Sequence, residues 1–132
     1  MPSVKRFSMC LIAAALAILA HSSTATASVR WFHSPGGNIS CEVSSGGKRG
    51  AYAFCQSKRT PKSVTLGRNG RSKICRGVAC LGDGPQDAKA LASGRSIRVG
   101  AFRCTSLRTG MRCLVVKSGR GFKISRSKIQ RF

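Results

Sequence analysis

Short alternations of apolar and polar residues, separated by glycine-bearing turns, dominate the chain after residue 27. Residues 39–43 alternate as a strand, and a polar turn separates them from a second predicted strand at residues 51–56. Residues 64–66 then precede Gly67-Arg68-Asn69-Gly70, which is a strong hairpin signal. Short strands with turns at regular spacing are typical of all-β domains.

The periodicity slips by one position near residue 100. Ile97 and Val99 share one face of a predicted strand, and Phe102 and Cys104 continue it out of phase. Gly100 lies at the slip, and glycine inside a strand pattern often marks a bulge. We therefore expect a single strand with a β-bulge at Gly100.

A hairpin follows, with the turn at residues 107–110. If Leu107 pairs with Gly110, then Cys104 lies directly opposite Cys113. Directly opposed residues bring their Cβ atoms close enough for a disulfide when the pair is not hydrogen-bonded. A further turn leads into a final predicted strand that begins at Phe122.

Residues 1–27 have the three-part layout of a secretory signal peptide. Lys5 and Arg6 give a positive start, an apolar run of 14 residues follows, and Ala25 and Ala27 suit a signal peptidase. The run is too short to span a hydrocarbon core of about 30 Å, although an uncleaved anchor is the alternative. We predict cleavage after Ala27, a secreted, extracytoplasmic single domain at residues 28–132, and no transmembrane segment after processing.

Export determines how the cysteines are interpreted. Six of the seven cysteines remain in the mature chain: Cys41, Cys55, Cys75, Cys80, Cys104 and Cys113. An even number in a small exported chain points to disulfides, and zinc is disfavoured because no pair has Cys-x-x-Cys spacing or a neighbouring histidine. Local spacing groups them as Cys41–Cys55, Cys75–Cys80 and Cys104–Cys113. No metal and no cofactor are predicted.

The predicted fold is therefore all-β. It is a small disulfide-stabilised antiparallel sheet, sandwich-like or a partly closed barrel, with at most one short helical turn. Only residues 86–92, after Gly84-Pro85, allow that turn.

The charge of the chain is extreme, with 24 Lys+Arg against 3 Asp+Glu and a net charge of +21. Removal of residues 1–27 leaves 22 basic residues against the same three acids, a net charge of +19. Such a surface attracts polyanions through long-range fields and counterion release. Candidate partners are anionic envelope polymers, anionic lipid headgroups, acidic polysaccharides and free nucleic acid; the alternative is a compositional trait without a selected partner.

The densest basic stretch is the candidate polyanion-binding site. Its seven residues are Lys58, Arg59, Lys62, Arg68, Arg71, Lys73 and Arg76. No acid and no aromatic residue is interleaved with them, which argues against a specific nucleic-acid site. We interpret the stretch as a solvated basic face with nonspecific affinity.

Residues for catalysis are scarce. The mature chain has one histidine, His33, and its acids are Glu42, Asp83 and Asp87. Asp83 and Asp87 flank an apparent Gly-Pro loop, where a turn cap and the start of a helical turn explain them. Glu42 is expected to pair with a surface arginine. No catalytic residue is assigned, and a small hydrolase would need His33 to meet an acid in a cleft.

Three motifs follow one another along the mature chain. They are Phe32-x-Ser34-Pro35-x-Gly37-Asn38-Ile39-x-Cys41, then Gly94-x-Ser96-Ile97-x-Val99-Gly100-x-Phe102-x-Cys104-x-Ser106 with Thr109-Gly110-Met111-x-Cys113, and finally Gly119-x-Gly121-Phe122-x-Ile124-Ser125-Arg126. In this order they resemble a family of small, secreted, cysteine-containing bacterial domains of unknown function, frequent in actinobacteria. The resemblance implies export and a cysteine-bonded β domain, and it supplies no activity.

Together these observations predict a secreted, strongly cationic, monomeric domain that is not an enzyme. Its expected role is to bind anionic polymers at or outside the cell envelope. The alternatives are a secreted inhibitor or antimicrobial-type cationic protein and, behind these, a small hydrolase.

Overall fold

The computed structural model of the protein describes residues 20–21 and 26–132, and these form two β-sheets packed face to face. The first sheet has six strands in the order β5-β4-β3-β2-β1-β6, and the second has five in the order β11-β10-β9-β8-β7. The strands are β1 (Val29–His33), β2 (Ile39–Ser45), β3 (Ala51–Ser57), β4 (Lys62–Gly67), β5 (Ser72–Arg76), β6 (Lys89–Ala90), β7 (Ser96–Val99), β8 (Phe102–Leu107), β9 (Gly110–Val115), β10 (Gly121–Ser125) and β11 (Ile129–Arg131). The all-β, antiparallel prediction is confirmed.

One connection is not a hairpin. Strands β1 to β5 form an antiparallel meander, but β6 pairs in parallel with β1 at the far edge of the sheet. Residues 77–88 therefore cross the sheet from one edge to the other, and we call this segment the crossing loop. It begins with the single 3₁₀ turn of the described residues, Val78–Cys80.

The core lies between the inner faces of the two sheets, as the period-two alternation requires. Val43, Val64 and Leu66 of the first sheet meet Phe102 and Phe122 of the second, all at most 1% exposed. Apolar residues at every second position therefore account for both the strands and the core.

All six cysteines of the described residues form the expected disulfides. Cys41–Cys55 and Cys104–Cys113 each join directly paired residues of adjacent strands, with Cα atoms 4.1 Å apart. The predicted register, with Leu107 opposite Gly110, is confirmed. These two disulfides face each other in the core, where the Sγ atoms of Cys55 and Cys113 lie 3.7 Å apart.

The third disulfide lies at the periphery of the first sheet. Cys75–Cys80 joins the last part of β5 to the start of the crossing loop. It therefore fixes the point at which the chain leaves the sheet edge.

Two local predictions are wrong. Gly100 is not a bulge, because it begins a two-residue turn between β7 and β8. Its φ angle is 56°, and Val99 pairs with Phe102 across the turn. Glycine suits the first position of such a hairpin turn, and the reversal keeps both apolar residues on one face, which explains the slip in phase.

Residues 86–92 form no helical turn. They contain a turn and then β6, which is held by the pairing of Phe32 with Lys89 and by the amide of Leu91 donating to the carbonyl of His33. This long-range pairing outweighs the weak helical preference of the segment.

The predicted signal peptide falls almost wholly on residues 1–19 and 22–25, outside the described part of the chain. Within the described part, no helix has the length and hydropathy needed to cross a membrane.

Candidate binding sites on the two outer faces

The outer face of the first sheet carries a cleft of about 610 Å³ beneath the crossing loop. Because Cys41 and Val43 of β2 and Ala53 and Cys55 of β3 point into the core, the alternate residues of these strands face outward. Trp31 on β1 is opposite Glu42 on β2, and Glu42 is in turn opposite Phe54 on β3. The carboxylate thus lies in a row between two aromatic residues, and all three line the cleft.

The crossing loop forms the other wall of the cleft and is tied to the sheet. The Gln56 side chain donates from Nε2 to the carbonyl of Gly82 at 2.8 Å and accepts from the Gly82 amide through Oε1 at 2.7 Å. Gly84 packs on the Trp31 ring, where a Cβ atom would lie 3.2 Å from two ring carbons. These contacts preform the cleft and bring Asp83 to its rim.

Tyr52 is the polar neighbour of Glu42 in the cleft. Its hydroxyl donates a hydrogen bond to Oε1 of Glu42. Burial and, after it, the hydrogen bond and charge of Glu42 raise the pKa of Tyr52, while Arg49 opposes this rise. The phenol therefore remains protonated and orients the carboxylate that was expected to pair with an arginine.

The cleft collects the rarest residues of the chain. Trp31 and Tyr52 are its only tryptophan and tyrosine, and Glu42 and Asp83 are two of its three acids. Its volume and its mixture of aromatic and polar lining are those of a small-molecule site. Sequence reasoning missed this site, although aromatic residues on the outward phase of β3 were a signal for it.

His33 does not complete a catalytic group in this cleft. Its Nδ1 lies 2.7 Å from the carbonyl oxygen of Ser34, and the described residues that line the cleft include Glu42 and Asp83 but not His33 or Asp87. The side chains that line the cleft are chiefly aromatic rings and carboxylates.

The structure divides the sequence-predicted basic stretch. Lys58 and Arg59 are exposed in the β3–β4 turn, whereas Arg68 and Arg71 are exposed at the opposite end of β4. Lys73 and Arg76 are exposed on the edge strand β5. The stretch therefore does not form one patch.

Lys62, one of the seven residues of the predicted polyanion site, is buried. Its side chain is only 2% exposed, and its Nζ donates to the carbonyl of Arg126 at 2.7 Å. Burial and, to a lesser degree, the charge of Arg76 lower the pKa of Lys62. This ammonium links the two sheets and is not available to a polymer.

A second candidate site lies on the outer face of the second sheet. Arg98 is paired directly with Arg103, and Arg112 directly with Lys123, so like charges face each other on adjacent strands. These four residues define what we call the basic face. The sequence pattern did not predict this group, because its members are spread over residues 98–123 and only the strand register brings them together.

No acidic residue in the segment that contains the basic face, residues 88–132, balances its positive charge. Residues 88–132 include 12 Lys+Arg and no Asp or Glu. The Arg112 guanidinium lies 4.3 Å from the centroid of the Phe132 ring, which adds one aromatic surface at the margin. The two outer faces of the sandwich thus differ sharply in chemistry.

Comparison with known proteins gives a match to a protein family. A family described as "Family of unknown function (DUF6636)" matches residues 61–132, more than half of the chain. Neither the curated proteins nor the solved structures contain a significant match.

Proposed function

We propose that this chain, which belongs to the DUF6636 family of unknown function, is a secreted, non-catalytic domain whose basic face binds anionic polymers. The observation that carries the proposal is the direct opposition of Arg98 to Arg103 and of Arg112 to Lys123. Like charges directly opposite each other destabilise a sheet, and an anion placed between them removes that repulsion.

The layout of the basic face suits an extended polymer. Its residues lie on four adjacent strands, β7 to β10, which at about 4.8 Å per strand interval span roughly 14 Å. The open surface of a sheet has no deep pocket that would select one monomer. Affinity is therefore expected to follow the charge density of the polymer more than its identity.

Several features support action outside the cytoplasm. Strand β1 begins at Val29, so cleavage after Ala27 would leave every strand of the sandwich intact. The carbonyl of Ser28 already accepts a hydrogen bond from the Ser45 amide. Three disulfides suit an oxidising compartment.

The test compares two fourfold variants with the same loss of charge. One carries Arg98→Gln, Arg103→Gln, Arg112→Gln and Lys123→Gln, and the control carries Lys58→Gln, Arg59→Gln, Arg68→Gln and Arg71→Gln. Binding to duplex DNA and to heparin is measured between roughly 50 and 200 mM salt, where counterion release makes affinity fall steeply.

The basic-face variant should bind both polymers more weakly than the control. For DNA, the slope of logarithmic affinity against logarithmic salt concentration should also be shallower than that of the control, by about three to four units. Equal losses in the two variants would show that only the net charge matters and would overturn the assignment to this face. Binding that persists at high salt would also contradict it.

A further inference from the structure

The cleft beneath the crossing loop has the opposite electrostatic character to the rest of the molecule. In a chain with a net charge of +21, it is lined by the carboxylates of Glu42 and Asp83 against one guanidinium, that of Arg49. The side chains of Trp31, Tyr52 and Phe54 provide its aromatic surface. A polyanion gains nothing from such a lining.

We propose that this cleft binds a methylated organic ammonium group, of which the head of choline is the simplest example. The negative faces of aromatic rings attract a cation, and tryptophan is the most effective ring. Glu42 lies in the strand register between Trp31 and Phe54, so a carboxylate and two rings are presented together on one surface. That combination is complementary to a cation with an apolar periphery.

The state of Glu42 fits this ligand. The Tyr52 hydroxyl holds one carboxylate oxygen, and the cleft is partly shielded from water because Trp31, Glu42, Tyr52 and Phe54 are all half-buried. A half-buried carboxylate attracts a cation more strongly than an exposed one, because screening by water is weaker there. A methylated ammonium is a better occupant than a bare one, because methylation removes N–H groups whose hydrogen bonds to water would be lost on entry.

The site needs no large rearrangement to bind. The two hydrogen bonds between Gln56 and Gly82 and the packing of Gly84 on Trp31 already hold the wall in place. A preformed site loses less conformational entropy on binding than one that must close. The volume of about 610 Å³ exceeds what a trimethylammonium head fills, so the ligand extends beyond that head.

The experiment uses the single tryptophan of the chain as the reporter. Trp31 fluorescence is titrated with choline, with dimethylbutanol, its neutral carbon isostere, and with phosphatidylcholine vesicles. Choline should bind at least about tenfold more tightly than the isostere, which is the advantage expected from cation–π and charge attraction.

The three titrants also distinguish the source of the ammonium group. A response to free choline assigns a soluble ligand, and a response to vesicles alone assigns a lipid headgroup. No response to either, or equal binding of choline and dimethylbutanol, would overturn the proposal.

The three acids of the chain provide matched variants. Glu42→Gln should weaken choline binding by roughly threefold to tenfold, and Asp83→Asn by roughly twofold to fivefold. Asp87→Asn removes the same charge outside the cleft and should have little effect. Equal losses in Asp83→Asn and Asp87→Asn would contradict the assignment of the cleft.

A variant at the ring tests the aromatic part. Trp31→Leu should abolish saturable choline binding, measured by ligand-observed NMR because the reporter is removed. Circular dichroism and thermal unfolding show whether Trp31→Leu is folded. If it is not folded, Asp83→Asn tests the cleft instead, because Asp83 lies in an exposed loop. The cleft and the basic face lie on opposite outer faces, so either proposal can fail without the other.

Discussion

Tyr52 is the only tyrosine of the chain, so its ionisation can be followed without overlap from another phenol. Burial and Glu42 raise its pKa, and Arg49 acts in the opposite direction. We expect its absorbance titration to have a midpoint above the ordinary tyrosine value of about 10. Glu42→Gln should lower that midpoint and Arg49→Gln should raise it, because each removes a contribution of known sign.

The same shift has a consequence for stability. The pKa of Tyr52 is higher in the folded state than in the unfolded state. Its contribution to the free energy of unfolding is therefore complete below about pH 10 and is lost as pH rises through the folded-state pKa.

The control for the absorbance titration of Tyr52 is Arg103→Gln on the other sheet, which should leave the midpoint unchanged. Equal titration midpoints for Tyr52 in the wild type and in Glu42→Gln would contradict the hydrogen bond between Tyr52 and Glu42.

Lys62 provides a second test at the residue scale. Lys62→Glu should destabilise the fold by more than about 3 kcal/mol, because it buries a carboxylate against the carbonyl of Arg126. Lys58→Glu makes the same change at an exposed turn and should alter stability by at most about 0.5 kcal/mol. Urea denaturation distinguishes the two, and similar midpoints for both variants would show that Lys62 is not structural.

At the scale of elements, the crossing loop is the component that turns the outer face of the first sheet into a cleft. Its anchor, Cys75–Cys80, is the accessible disulfide, since Cys75 is exposed while the four cysteines of the core are at most 2% exposed. We expect mild reduction of the folded protein to open Cys75–Cys80 first, as shown by alkylation and peptide mapping. Choline affinity should fall as this disulfide opens.

Paired double variants separate the roles of these disulfides. Cys75→Ala/Cys80→Ala should weaken choline binding and leave the sandwich folded, because the short loop contributes little to the stability of the core. Cys104→Ala/Cys113→Ala should lower the free energy of unfolding by roughly 2–4 kcal/mol. Reduction of a core disulfide before Cys75–Cys80 would contradict this order.

The elements that the sequence predicted are those determined by local contacts. The hairpin at residues 107–110 places Cys104 opposite Cys113 through turn geometry alone, and residues 67–70 likewise form the predicted turn. Strand β6 could not be predicted, because two residues become a strand only by pairing with β1, more than 50 positions earlier. Gly100 was misjudged because a tight turn and a bulge both produce a slip in phase.

The candidate sites show the same division. The alternation of inward and outward residues predicts which side chains face solvent, but only the register across strands places Trp31 and Phe54 on either side of Glu42. The burial of Lys62 depends on the second sheet, to which its ammonium donates a hydrogen bond. Composition alone therefore suggested seven basic residues for a site that the structure divides.

At the scale of the whole molecule, charge is segregated along the chain. All three acids lie at or before residue 87, and the second sheet contains only basic charged residues. The two proposals made above follow this segregation, with an anionic polymer assigned to one outer face and an organic cation to the other. Together they describe a protein that links two unlike partners.

Processing is the prediction that concerns residues 1–27. Expression in an exporting bacterial host should yield a soluble product whose amino-terminal sequence starts at Ser28 or within a few residues of it, because Ala25 and Ala27 suit a signal peptidase. Edman sequencing or intact mass measurement determines the start. Recovery of a chain that begins at Met1 in the membrane fraction would contradict it.

None of the three disulfides joins one sheet to the other, although two of them meet with the Sγ atoms of Cys55 and Cys113 3.7 Å apart. If Cys41–Cys55 is reduced, the thiolate of Cys55 lies against Cys113 and can displace Cys104, forming Cys55–Cys113 and releasing the Cys104 thiolate. That isomer would join the two sheets covalently. The number of disulfides would be the same as before the exchange. During oxidative maturation the two pairings compete, so a dedicated isomerase would speed the recovery of native protein from the cross-layer isomer.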